Sequence, residues 1–372
     1  MKKIEFEDYS VVLSRKNRFI KSKSNDYHFL FNSDNGLTCK FGKSVNDDPD
    51  FSPFGNEIAD IEITTSCRGI RDKEGNRSPC PFCYKGNSES GEYMSFERFK
   101  RVFDLLNQSR TMTQIAFGVD AECKSNPDVW KIMDYCIQND VVPNVTVADI
   151  DEETALNIAK RCGACSVSAY ERDKGRCYDS IKLLTDASKE FNKKFFQVNI
   201  HLLLSEETKD FCKEVIKDYE NDLRLKDVNA IVFLSLKQKG RGSSFHRMNE
   251  SSRKEILSYC LDNDVKFGMD SCGANFFLDL LKERKEEKRY LKFIEPCESL
   301  LYSIYVNVEC KVFPCSFMEG EGEWSEGIDL LDSSIECFRK EVWENEKVIS
   351  WRRNAIKKMK EIGCNSCPYF TI

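Results

Sequence analysis

Three cysteines stand close together early in the chain, at Cys67, Cys80 and Cys83, with the spacing Cys-x12-Cys-x2-Cys. Proline precedes both Cys80 and Phe82, and an aromatic residue precedes the third cysteine. Three thiolates can hold three irons of a four-iron cluster, which normally takes four cysteines, and so leave one iron open to another ligand. The competing chemistry is a zinc site built on Cys80 and Cys83 with two further ligands. A second group lies near the C-terminus: Cys297, Cys310 and Cys315, then Cys364 and Cys367. Between the two groups runs Asp270-Ser-Cys272-Gly273. A thiol there could exchange hydrogen with a substrate radical or join a second cluster; otherwise it packs as a small buried residue.

Composition sets the bounds. The chain has 372 residues, 18 of them cysteine, and a formal charge of −6. It contains no run of 18 apolar residues that could span a membrane. No apolar segment follows Lys2 and Lys3, so no secretory signal is expected and the location reads as cytoplasmic. In reducing cytosol, dense Cys-x2-Cys pairs read as metal or iron–sulfur ligands rather than disulfides. The negative charge argues against nucleic acid as a general partner. No Walker loop, His-Glu-x-x-His or Gly-x-Ser-x-Gly is present, and three histidines are too few for most His-based sites.

The elements that must position these residues follow from periodicity. Residues 1–58 read as an N-terminal extension. In it Ser33-Asp-Asn-Gly36 joins two apolar runs as a β-hairpin. From 59 to 271 strand and helix alternate, which implies a parallel sheet with helices outside. The first strand, near Ile61–Thr65, leads into Cys67. Six more strands are expected, beginning near Gln114, Asn144, Ala164, Phe195, Ala230 and Val265. Ser95 caps the first helix, and Asn126-Pro127 opens the second. Within the strands, Glu62 and Thr64, Asn144 and Thr146, Ser166 and Ser168, and Gln197, Asn199 and His201 share polar faces opposite apolar ones. A polar inner face suits an open lumen that holds a polar ligand. Residues 272–372 form a small Cys-rich C-terminal domain.

The stretch from Cys67 to Lys85, followed by about six βα units, resembles the cluster loop and barrel of the radical S-adenosylmethionine (radical SAM) enzymes. The family spacing is Cys-x3-Cys-x2-Cys; here the first gap is nine residues longer, filled by an insert from Arg68 to Ser78 that can bulge outward. The resemblance implies a partial (β/α)6 barrel and a [4Fe-4S] cluster on Cys67, Cys80 and Cys83 that binds SAM through its open iron. The family's Gly-Gly-Glu-type motif corresponds to Phe117-Gly118-Val119-Asp120-Ala121-Glu122, with Gly118 kept and the acidic role open between Asp120 and Glu122. Ser168 and Asn199 correspond to ribose and carboxylate contacts, and Phe82 and Tyr84 to the adenine edge. The run Lys237-Gln-Lys-Gly-Arg-Gly242 occupies an adenine-contacting position, or is an ordinary basic loop.

The C-terminal cysteines resemble the twitch/SPASM auxiliary-cluster domain, which implies an auxiliary [4Fe-4S] cluster on Cys297, Cys315, Cys364 and Cys367. Cys310 stands where that pattern has glycine, and either it or Cys272 could also be a ligand. Four cysteines around structural zinc are the alternative. The implied function is reductive cleavage of SAM to a 5′-deoxyadenosyl radical, which takes hydrogen from a substrate. Asp270 and Cys272 are the candidate catalytic residues. An electron donor such as flavodoxin or ferredoxin is implied. By family habit the substrate is a ribosomally made peptide. The alternatives are dehydrogenation or isomerisation of a small molecule or nucleotide, and a non-enzymatic zinc-binding interaction protein.

Overall fold

The computed structural model describes residues 1–295 and 297–362, with side chains described as far as 358. Cys364 and Cys367 lie outside the described residues.

The N-terminal residues fold as a five-stranded antiparallel meander: β1 (Lys2–Glu5), β2 (Tyr9–Leu13), β3 (Asn17–Ser22), β4 (His28–Asn32) and β5 (Thr38–Phe41). The expected hairpin is β4–β5, turned through Gly36 at φ +71°. The first three strands, with weaker alternation, extend this hairpin into the meander.

The main sheet begins with β6 (Ile58–Glu62). A short hairpin, β7 (Ile70–Arg71) with β8 (Arg77–Ser78), fills the insert. There follow α1 (Phe96–Leu106), β9 (Gln114–Gly118), α2 (Val129–Gln138), β10 (Val142–Val147), α3 (Glu152–Arg161), β11 (Ala164–Ser168), α4 (Lys174–Glu190), β12 (Gln197–Leu204), α5 (Lys209–Asn221), β13 (Ala230–Ser235), α6 (Glu250–Asp262) and β14 (Phe267–Met269). Strands β6 and β9 to β14 are parallel and adjacent in sequence order. Helices flank them, as the alternation requires.

Local chemistry explains the boundaries. Ser95 Oγ accepts from Arg98 N at 3.4 Å to start α1, whose Phe99, Val102, Phe103 and Leu106 are buried. Asp151 caps α3 in the same way through Thr154 N at 3.0 Å. Asn126 does not cap α2, which starts three residues later. Its side chain instead donates to Ile63 O at 2.8 Å and Met94 O at 2.9 Å.

Two features were not legible in the sequence. First, the meander closes the N-terminal ends of the parallel strands. The buried Arg18 donates to Arg110 O at 3.1 Å, to Met112 O and to Asp140 O at 2.7 Å. Tyr9 Oη donates to Ser109 O at 2.8 Å. Second, the C-terminal segment joins the main sheet. After α7 (Ala274–Glu283) and α8 (Glu287–Tyr290), β15 (Ser303–Val306) pairs in parallel with β6, on the side away from β9. β16 (Lys311–Phe313) and β17 (Ile328–Asp329) continue antiparallel, and α9 (Glu346–Ile362) follows. Among the described residues the sheet thus has ten strands.

The β15–β16 turn runs from Asn307 to Cys310, whose N–H donates to Asn307 O at 2.9 Å. Cys310 has φ +70°, the left-handed region that favours glycine, and it is fully buried. It occupies the glycine's conformation as well as its position. Cys39 and Cys337 are exposed, because Cys39 lies on the edge strand β5 and Cys337 in the loop after β17.

Cys310→Gly is expected to unfold in urea within about 1 kcal/mol of the parent, because relief of strain offsets the lost burial. Cys310→Val, β-branched at positive φ, is expected to lose about 2–3 kcal/mol.

Candidate functional site

The polar faces of the strands line one cavity of about 1130 Å³, which opens at the C-terminal ends of the sheet. Asp60 and Glu62 of β6, Ala116 and Gly118 of β9, Thr146 of β10, Ser168 of β11 and His201 of β12 all face it. The opposite faces, Val145, Val167, Ile200 and Phe233 among them, are buried under the helices. The alternation in the sequence therefore reports a lumen. Its volume exceeds that of one cofactor-sized molecule.

Cys67, Cys80 and Cys83 lie at the mouth of this cavity, each half-buried. The β7–β8 stem brings Cys67 and Cys80 together across the long gap. Gly69, at φ +79°, lies so close to Ser78 and Pro79 that an added Cβ would fall 2.7 Å from Pro79 N. The insert is also tied down. Arg71 pairs with Asp149 (Nη2–Oδ1 2.9 Å), and Arg77 with Glu122 at 2.7 Å. Burial pushes the Cys80 thiol up to about 11, while the Tyr170 hydroxyl hydrogen-bonds to it.

Among the described residues no three His, Cys, Asp or Glu side chains converge tightly enough for a single metal ion. A four-iron cluster binds each cysteine through a different iron. Three cysteine thiols at one cavity mouth are the donor type that such a cluster takes.

The Lys237–Gly242 run grips this loop from behind. Arg241 N donates to Cys83 O at 3.0 Å, and Arg241 Nε to Cys80 O at 2.9 Å. Gly240 has φ +56°, and a Cβ there would come within 2.7 Å of Cys83 O. Lys239 Nζ reaches across to Phe317 O at 2.9 Å, so the same run also holds the turn after Cys315. Phe82 and Tyr84 both line the cavity. Phe82 stacks on Tyr170 with ring centroids 5.4 Å apart, and Tyr84 meets Phe317 at 4.2 Å.

Gly118 is small because of its neighbour: a Cβ there would sit 3.0 Å from Glu62 Cα. Asp120 lines the cavity, and its carboxylate already accepts from Lys124 N and Ser125 N, both at 2.8 Å, and from Glu122 N at 3.2 Å. Glu122 lies outside the cavity lining and holds the insert through Arg77. Ser168 faces the lumen. Asn199 does not: it sits nearer the N-terminal end of β12, where Asn229 Nδ2 donates to it at 3.1 Å. The next residue on that face, His201, takes the lumen position, and burial holds its ring neutral with a pKa of about 4. The rule that ligands bind beyond the carboxyl ends of parallel strands would have selected it.

Asp270 serves as a clamp. It accepts from Ser235 N at 3.0 Å, Ser235 Oγ at 2.8 Å and Gly273 N at 3.1 Å, and it pairs with Lys237. It thereby fixes the turn that carries Cys272. Cys272, Cys297 and Cys315 line the same cavity, and the electrostatic influence of Cys297 and Cys315 reaches Cys272, whose burial pushes it up to about 12. Cys310 is not among the lining residues; its thiol lies by Arg98. A buried network missed in the sequence joins the two halves. Lys85 Nζ lies 3.2 Å from Glu62, 2.8 Å from Tyr305 Oη and in contact with Glu319.

No known protein-family profile matches the chain, and no curated protein matches it. Among solved structures it resembles Streptococcus suis SuiB bound to S-adenosylmethionine, with a TM-score of 0.59 at 9% identity over 94% of this chain and 90% of that one. BtrN in complex with AdoMet and 2-DOIA aligns over 84% of this chain and 93% of that one at 14% identity, but its TM-score of 0.45 does not establish a common fold. Over nearly its whole length, the chain shares the fold of SuiB.

Proposed function

We propose that the chain is a radical SAM enzyme whose [4Fe-4S] cluster is held by Cys67, Cys80 and Cys83. The observation that carries this reading is the placement of those three thiols at the mouth of a lumen in this fold. With the cluster bound, reductive cleavage of SAM supplies a 5′-deoxyadenosyl radical that takes hydrogen from a substrate. The protein binds, orients and excludes water. Arg241 and Gly240 fix the carbonyls beside Cys80 and Cys83. Ser168, Asp120 and His201 offer polar atoms along the lumen. Electrons come from a donor such as flavodoxin or ferredoxin.

An auxiliary cluster on Cys297 and Cys315, with Cys364 and Cys367 as its remaining ligands, is part of the proposal. Its support is the β15–β16 hairpin, which matches the twitch pattern in the sequence, and the shared cavity wall. That resemblance also carries the substrate class, a ribosomally made peptide presenting one side chain to the lumen.

The test is iron and sulfide content with electron paramagnetic resonance, on protein reconstituted without oxygen. About eight irons per chain are expected for two four-iron clusters, with a reduced signal that changes when SAM is added. Zinc without an iron signal would overturn the reading.

Replacing Cys67, Cys80 and Cys83 together by alanine is expected to remove about four of those irons and all 5′-deoxyadenosine formation. Replacing Cys297 and Cys315 should leave the SAM-dependent spectral change intact. Gly240→Ala is expected to lower iron loading at the first site, because its Cβ displaces the Cys83 carbonyl. Full loading with an unchanged SAM response would show that the grip is dispensable.

A further inference from the structure

The lumen wall carries five carboxylates besides Asp120, and three of them are neutralised. Glu62 is paired with Lys85, Asp270 with Lys237, and Glu298 with Lys40 at 2.8 Å. Asp60 has no hydrogen-bond or ion-pair partner among the described residues, whereas Glu295 feels the charge of Lys40 without pairing with it. Asp60 lies on the floor, its side chain open to the lumen. Its neighbours across the sheet cannot satisfy it. Ala116, its partner on β9, has no polar atom, and Tyr305, its partner on β15, directs its hydroxyl to Glu62, Lys85 and Glu319.

The cations on the wall are engaged elsewhere. Lys85, Lys237 and Arg241 are held as described above. Lys357 and Lys358 reach the cavity from α9, but neither acts on Asp60, where the one neighbouring charge is the like-signed Glu298. Burial accordingly pushes the Asp60 carboxyl up to about 6. A carboxylate that faces the lumen without a partner is free to take a charge-assisted hydrogen bond from whatever enters. Space for such a group is built in, since Ala116, Gly118 and Thr146 leave the floor beside Asp60 open.

We infer that Asp60 binds a cationic nitrogen of the substrate, a protonated amine or a guanidinium. This names the substrate class within the proposed function and rests on that reading. The group could belong to a lysine or arginine side chain of a peptide or to an amino-bearing small molecule. Asp60 is a binding residue here and takes no part in hydrogen transfer.

The test uses cluster-loaded full-length protein with SAM, and n-butylammonium chloride as probe with n-butanol as the neutral control. Butylammonium, but not butanol, is expected to raise the melting temperature of the parent and to bind in calorimetry. Asp60→Asn should weaken that binding by about tenfold or more, the loss of one charge-assisted contact. Without probe, Asp60→Asn should melt at or above the parent temperature at pH 8, because an uncompensated carboxylate has been removed. Nα-acetyl-lysine methylamide and putrescine then separate the two sources by their relative affinities.

Equal probe binding by parent and variant overturns the inference, as does a lower probe-free melting temperature shared by Asp60→Asn and Asp60→Ala. The SAM-induced resonance change is read on both proteins. Its loss in the variant alone assigns Asp60 to SAM and overturns the inference. Its absence from both proteins refutes the radical SAM reading, and the cation measurement then stands by itself.

Discussion

The parallel pairing of β15 with β6 is the contact on which the site depends. β6 leads into Cys67, and β15 leads through a tight turn to Cys315. Laying one beside the other sets two cysteine groups on one wall. Lys85 locks the arrangement, because it stands two residues after Cys83 and lies between Glu62 of β6 and Glu319 of the C-terminal segment. Removing one member of such a buried ionic group strands the others, typically at a cost of about 3–5 kcal/mol. The network therefore specifies which surfaces meet, whatever its net contribution to stability.

Around this seam the labour is divided by position along the strands. At the carboxyl ends, the Lys237–Gly242 run uses main-chain and guanidinium donors to hold the carbonyls of the cysteine loop, so the thiols themselves stay available. At the amino ends, Arg18 satisfies three carbonyls with one side chain and fastens the antiparallel meander over the sheet. Burial pushes its guanidinium down to about 10, still charged at neutral pH, so the fastening persists across the physiological range.

The seven parallel strands were legible because short β-prone runs alternate with helices of ordinary length, and β6, β10, β11 and β12 also show two-residue polar/apolar alternation. The lumen was legible for the same reason: polar residues recur on one face, where a solvent-facing sheet would have had no helices opposite. What the sequence could not convey was contact between distant segments. Nothing near Ser303 indicates that it will pair with Ile58, so the ten-strand sheet and the Lys85 network were invisible. Local spacing also misjudged depth. Asn199 and His201 share a face, but only the second reaches the lumen, since height along the strand decides which polar side chain meets a ligand. Asp270 drew attention as a chemical group beside Cys272, and its hydrogen bonds turn out to be spent on the turn that presents that thiol.

The insert between Cys67 and Cys80 has a consequence for how such sites diversify. Its two strands zip the ends of the gap together, and the turn at Asp72–Asn76 lies beyond the stem. Residues added to or removed from that tip change the count between the cysteines without moving either one, because enlarging a closed loop costs little. The separation that matters is fixed in space by Gly69 against Pro79. Sequence distance and ligand geometry are uncoupled here, so the first gap is free to drift in length while the donor set it delimits stays constant.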